Sequence, residues 1–184
     1  LTNDLNMGDS IKLQDIAQSK FYLGISGGVW MTRQALVFGK TPLWLNIAAI
    51  DGMVSTMSSC KDGNHLFVGT YSGNVYRISG LKYYSDSIYL DVASSQYALT
   101  ITKIANYPNR TITSVSANWY DPDKVVVTLG NFGNQTSYIY YSDDATADVP
   151  TFVSKQGNLP KIPVYSSLIE MNHKKYVVIG TEYG

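Results

Sequence analysis

The sequence predicts an all-β chain, and three observations carry that prediction. Its short apolar runs are bounded by Gly, Asp, Asn or Pro, the signature of many short strands. Fifteen Tyr and fifteen Gly accompany abundant Ser, Thr and Asn, a composition suited to strands joined by tight turns. An apolar strand followed by Gly-x-x-x-Gly recurs at Gly24–Gly28, Gly69–Gly73 and Gly180–Gly184. The best helical candidate, "SIKLQDIAQSK", places Ile11, Leu13 and Ile16 at a mixed spacing that fits a strand about as well.

Each repeat of the phrase sits in the same surroundings. Alternating segments precede it: "MVSTMSS" (53–59), "ITSVSANW" (112–119) and "VYSSLIEM" (164–171) have the period of two expected of strands with unlike faces. The turn-forming segments "CKDGNH", "YDPDK" and "NHKK" follow. Next come the second strand and a glycine hairpin, where Gly supplies positive φ without steric cost. A looser copy begins at Gly130, in "VVVTLGNFGNQTSYIYYS". A further strand closes each unit: "PLWLNI" (42–47), "YALTITKI" (97–104) and "PTFVSKQ" (150–156).

Fixed wording at elastic spacing, with leading glycines 45, 61 and 50 residues apart, predicts four-stranded antiparallel blades of a β-propeller. The expected blades cover about 11–48, 53–105 and 112–157, with an incomplete fourth at 164–184, about three and a half in all. The second carries an extra loop, "GLKYYSDSIYLDVASSQ". Because closed propellers have about 4–8 blades, the chain is expected to be part of a larger one.

Composition narrows the function classes. Charged residues are 15% of the chain and sum to a net charge of +0, unlike the basic face of a duplex-binding protein. No run approaches the roughly 18 apolar residues of a membrane helix, and "LTNDLNMGDSIK" has no signal-peptide pattern. The chain begins with Leu, which fits an excised or mature product, and its single Cys60 allows no internal disulfide. Few Lys and Glu beside many Tyr, Asn and Thr lean toward an exported protein.

Residues 112–184 resemble the BNR/Asp-box propeller family, which includes sortilin-type VPS10 propellers, family 74 xyloglucanases and sialidases. The likeness is firmest to non-catalytic repeats of secreted bacterial surface proteins. It rests on "DPDKVVVTLGNFG", "GNLPKIPVYSSLI" and "YVVIGTEYG" following one another in that order. The Asp-box pattern is Ser-x-Asp-x-Gly-x-x-Trp. Here "SDDATADVPTF" keeps Ser142 and Asp144, with Thr146 in the Gly place and Phe152 late; "TRQALVFGKTPLW" has Thr32, Gln34 and Trp44. The resemblance implies secretion or cell-surface display in a bacterium, with export by the type IX route, and a binding role for a protein or glycan partner.

Catalytic chemistry fits the residues less well. A sialidase centre needs three converging Arg, a Tyr nucleophile with a Glu base, and an acid. The chain's three Arg are Arg33, Arg77 and Arg110; the first two fall at matching ends of strands, which predicts a periodic surface role. Hydrolysis as in family 74, on a β-glucan, needs two facing carboxyls and is the alternative. Asp62, Asp121, Asp123, Asp143 and Asp144 lie in turns, where Asp serves the backbone, whereas Asp51 lies in an expected rim connection. His65 and His173 occupy equivalent turns of different units and cannot share a metal, so no metal or cofactor is expected.

A binding surface on one rim remains, carrying Asp51, Tyr71, Asn106, Tyr107, Asn131, Phe132, Asn134 and Tyr183. Aromatic and amide side chains in loops give large contact area at low entropic cost. Asn109 and Asn134 head N-glycosylation sequons, and Ser10 and Ser87 stand in Asp-Ser-Ile triplets like those O-glycosylated in some bacteria.

Overall fold

The computed structural model describes residues 20–36, 39, 41–82, 84, 99–132, 136–173 and 176–184. Among these residues there is no helix, and eleven strands form antiparallel sheets of five, four and two strands. The first sheet has the order β1 (Phe21–Thr32), β2 (Leu45–Ser59), β3 (His65–Thr70), β4 (Asn74–Ser79) and β5 (Thr100–Asn106). The second joins β6 (Ile112–Asn118), β7 (Asp121–Leu129), β8 (Ile139–Ser142) and β9 (Val153–Ser154); the third pairs β10 (Val164–Ile169) with β11 (Val177–Thr181). The candidate segment 11–19 and most of the loop at 80–96 lie outside the described residues.

Runs such as Val125–Val127 favour extended backbone because β-branched side chains pack well on a pleated surface. Asx turns connect the strands: the Asp62 carboxylate accepts from Asn64 N–H at 2.9 Å, and the Asn118 side chain from Tyr120 N–H at 3.0 Å. Alternation along each strand then feeds two faces, and the apolar side chains collect in three clusters. One lies on β1–β4, with Val29, Met31, Ile47, Leu66 and Ile78. Another lies between the first and second sheets, with Phe67, Val75, Ile112, Val125 and Val127. The third lies between the second and third, with Val126, Tyr138, Ile139, Val164 and Ile169.

The sheets are also joined by a repeated polar ladder. Val115 N–H donates to Thr56 Oγ1 at 3.3 Å and Ala117 N–H to Ser58 Oγ at 3.0 Å. The same step follows between β6 and β10, where Ser167 N–H donates to Ser114 Oγ and Ile169 N–H to Ser116 Oγ, both at 3.2 Å. An edge strand exposes backbone donors that burial makes costly unless they are paired. Here the hydroxyls of one sheet pair the edge of the next, which explains why β2 and β6 alternate Ser or Thr with apolar residues.

Three sequence expectations need correction. Gly24–Gly28 is not a hairpin: β1 runs unbroken through it, with a register shift between Ser26 and Gly28. A Cβ on Gly24 would lie 2.4 Å from Val54 Cγ1, so this glycine permits close packing rather than a turn. Likewise no loop separates 48 from 53. β2 is continuous, pairing with β1 as far as Met53 and with β3 from Val54 onward, with positive φ at Gly52. Gly130 is not the counterpart of Gly69. Register pairs Thr56 with Gly69, Ser166 with Gly180, and Ser114 with Thr128, so Thr128 holds that place and Gly130 falls beyond β7.

The two stretches compared with the Asp-box form matching clasps. Ser142 Oγ accepts from Asp144 N–H at 3.2 Å, while the Asp144 carboxylate accepts from Thr151 N–H at 2.8 Å. In the first sheet Thr32 Oγ1 accepts from Gln34 N–H at 3.1 Å, and Gln34 Oε1 accepts from Leu43 N–H at 3.0 Å. The longer Gln arm closes the longer loop.

Candidate partner-binding rim

One end of the sheets is organised by buried Asn74, which opens β4. Its N–H donates to Thr70 Oγ1 at 3.0 Å, and its amide Nδ2 donates to Ser72 Oγ at 3.3 Å and to the Asp51 carbonyl at 3.4 Å. Its Oδ1 accepts from Asn106 Nδ2 at 2.6 Å. Asp51 and Asn106 are thereby tied into one network, although Asp51 is within β2 rather than in a connection; its carboxylate side is exposed.

Gly73 sets the next layer. With φ +86°, it lies where a Cβ would come within 2.0 Å of the Tyr107 carbonyl oxygen, so only glycine allows the two turns to nest. Tyr107 N–H donates to Gly73 O at 2.8 Å, and the Tyr107 ring lies 4.6 Å from that of Tyr140. Burial, with the neighbouring Tyr140 contributing less, pushes the Tyr107 phenol well above its ordinary pKa. Its ring belongs mostly to the packing between sheets.

Arg110 staples the far side. Its Nε donates to Gly130 O at 3.1 Å and its guanidinium lies 4.5 Å from the Tyr138 ring centroid, within cation–π range. Gly130 N–H donates to Thr111 O at 2.9 Å, and Thr111 Oγ1 to Tyr71 O at 3.4 Å, linking the turns that carry Tyr71, Asn131 and Phe132. Asn131 has φ 66°, a conformation Asn tolerates, so its identity has a backbone reason.

The structure thus brings Asp51, Tyr71, Asn106 and Tyr107 around the Asn74–Gly73 turn, with Asn131 and Phe132 on the adjoining turn. Tyr183 stands apart, beside a cavity lined by Pro160, Ile162 and Thr181. Tyr71, Phe132 and Tyr183 are 54%, 66% and 83% exposed, and they shortly follow β3, β7 and β11 respectively. Asn134, Ser10 and Ser87 lie outside the described residues.

Several of the acids expected in turns already have partners, although Asp121 and Asp123 fall within β7. Asp62 Oδ2 lies 2.5 Å from His65 Nδ1. Burial would raise its carboxyl, but the bonds from His65 and from the Asn64 N–H outweigh that and hold it below the ordinary value. Asp123 accepts from the N–H and hydroxyl of Thr146. Among the described residues no group of three or more His, Cys, Asp or Glu could hold a metal ion, and no helix is long and apolar enough to cross a membrane.

Arg77 corrects another expectation. It is buried rather than part of a periodic surface, and its Nη1 donates to the carbonyls of Ala145 and Ala147, both at 2.8 Å. Sequence reasoning overlooked Asn74 altogether, and it named Arg77 and Arg110 without finding their roles as buried staples. An Arg inside a β-branched run, as in "NVYRIS", is a usable signal, because such a residue is buried only when paired.

No protein-family model matches the chain, and no curated protein matches its sequence.

Proposed function

We propose that the chain is a run of β-propeller blades of the BNR/Asp-box kind, from an exported bacterial surface protein, and that its rim binds a protein or glycan without catalysing a reaction. The carrying observation is the set of exposed aromatics, Tyr71, Phe132 and Tyr183, mounted on turns that hydrogen bonds hold in place. Exposed aromatic rings on a rigid support suit the apolar faces of sugars and the side chains of proteins. Blade-like units are supported by the ladder that recurs from β2 to β6 to β10 and by the matching clasps at Ser142–Thr151 and Thr32–Leu43. The non-catalytic reading is supported by Asp62, Asp123 and Asp144, whose carboxylates serve turn N–H groups.

Affinity electrophoresis against xyloglucan and mucin-type glycans, with a panel of immobilised extracellular-matrix proteins, tests the proposal. Retardation or capture that falls at least tenfold in the Tyr71→Ala/Phe132→Ala/Tyr183→Ala variant, with an unchanged melting curve, supports it. Binding that survives in that variant overturns the rim assignment. Release of oligosaccharides from xyloglucan overturns the non-catalytic reading in favour of a glycoside hydrolase.

A further inference from the structure

The two buried arginines are compensated unequally. Arg77 and Arg110 are 6% and 5% exposed. Each donates to backbone carbonyls, which carry partial charge only: Arg77 to Ala145 and Ala147, Arg110 to Gly130 and Ser137. Arg77 also has the carboxylates of Asp148 and Asp123 within electrostatic reach. The groups that act on the charge of Arg110 are the phenols of Tyr138 and Tyr140, and neither is a carboxylate. Among the described residues no acid forms an ion pair with Arg110.

The hydrogen bonds of Arg110 fall short in the same way. A guanidinium has five N–H donors. Here Nε donates to Gly130 O at 3.1 Å, Nη1 reaches Ser137 O at 3.5 Å, and the Tyr138 ring covers one face. Nη2, which carries two of the donors, is buried and has no partner among the described residues. A buried donor without an acceptor and a buried charge without a counter-charge are each costly. Burial accordingly works against the charged guanidinium and holds its pKa below the ordinary value, with the two phenols opposing that shift less. An acceptor with a full negative charge would relieve both costs at once.

We propose that Arg110 Nη2 binds one monovalent anion, a halide or a carboxylate, which supplies the counter-charge that Asp148 and Asp123 supply to Arg77. A single negative charge matches a single guanidinium, whereas a doubly charged anion would bury a second charge unpaired. The position gives the anion a structural consequence. Arg110 closes the turn that begins at Tyr107, its N–H donating to Tyr107 O at 3.2 Å, and its side chain reaches Gly130 after β7 and Ser137 before β8. An anion on Nη2 therefore holds the guanidinium that joins these turns. The site uses neither the exposed rings of the proposed rim nor any partner for them, so it stands independently of that reading.

Crystals of the full chain grown in sodium bromide test this directly. An anomalous bromide peak is expected at hydrogen-bond distance from Arg110 Nη2, with none at Arg77. Adding sodium formate to the same crystals separates the two sources: loss of the peak assigns the site to carboxylates, and its survival assigns it to halides. In solution, the folding equilibrium constant from urea titrations should rise about five- to tenfold for about a tenfold rise in bromide near or above its dissociation constant. Arg110→Gln should lose that dependence, whereas Arg77→Gln, subject to the same general salt effects, should keep it. The bromide peak in the unaltered chain decides the matter even where Arg110→Gln does not fold. A water or a protein group at Nη2 in place of the anion, or equal bromide dependence in the two variants, overturns the proposal.

Discussion

Replacing Gly69 by alanine tests how tightly the first two sheets pack. The new Cβ would lie 2.5 Å from Ile112 Cγ2, 2.7 Å from Thr56 Cγ2 and 2.9 Å from Ile112 Cβ. Both neighbours are β-branched and stiff at χ1, so neither can swing clear, and the sheets must separate slightly. The expected cost is about 2–3 kcal/mol, the upper part of the range for overpacked cores. With a urea slope near ~2.5 kcal/mol/M, that lowers the denaturation midpoint by about 1 M. The tryptophans at 30, 44 and 119 provide the fluorescence signal. Gly180→Ala is the control, because its Cβ would meet chiefly Ser166 Oγ, on an exposed side chain that can rotate; it should cost less than about 1 kcal/mol. Thr56→Ser removes one offending methyl while keeping the hydroxyl that pairs Val115 N–H, so it should recover part of the loss in the Gly69→Ala background. A midpoint unchanged by Gly69→Ala, or equal losses at Gly69 and Gly180, would refute the packing argument.

Three further outcomes are expected. Ser116→Ala leaves Ile169 N–H without its side-chain acceptor in a buried setting and should cost about 1–2 kcal/mol by urea denaturation, with Ser58→Ala similar; neutral substitutions would remove the ladder from the account of stability. Burial, together with the charges of Asp62 and Asp121, pushes the Cys60 thiol up to about 12, so disulfide reagents should label it only through opening of the sheets; rapid labelling under native conditions contradicts this. Asp62 has a folded pKa below its unfolded value, so its contribution is present above about pH 4 and is lost as pH falls through the lower folded value. Asp62→Asn should therefore flatten part of the acid dependence of the urea midpoint, and an unchanged profile argues against the assignment.

The all-β class was legible because its signals are local. Period-2 alternation in "MVSTMSS", "ITSVSANW" and "VYSSLI" and turn chemistry at Asp62-Gly63 each act within a few residues. The exposed aromatics were legible for the same reason, since a bulky residue after a strand-ending turn has little to pack against. The Asp51 placement was misread because an Asp-Gly pair signals a turn, yet here Gly52 only bends a strand that two neighbours pair in succession.

What the sequence by itself determined is therefore the alphabet of the fold: extended segments, their two faces and the tight connections among them. Tertiary structure decided which glycines turn the chain and which admit a neighbour. Gly73 nests two turns, whereas Gly24 and Gly69 make room for Val54 and Ile112. It also decided that Arg77 is a buried staple reaching carbonyls 68 and 70 residues away, and that Thr56, Ser58, Ser114 and Ser116 serve the edge of the next sheet. The reason is one of range. Strand and turn preferences are settled by neighbours along the chain, while the need for a small side chain, a cation or a hydroxyl exists only once a distant strand has been packed against it.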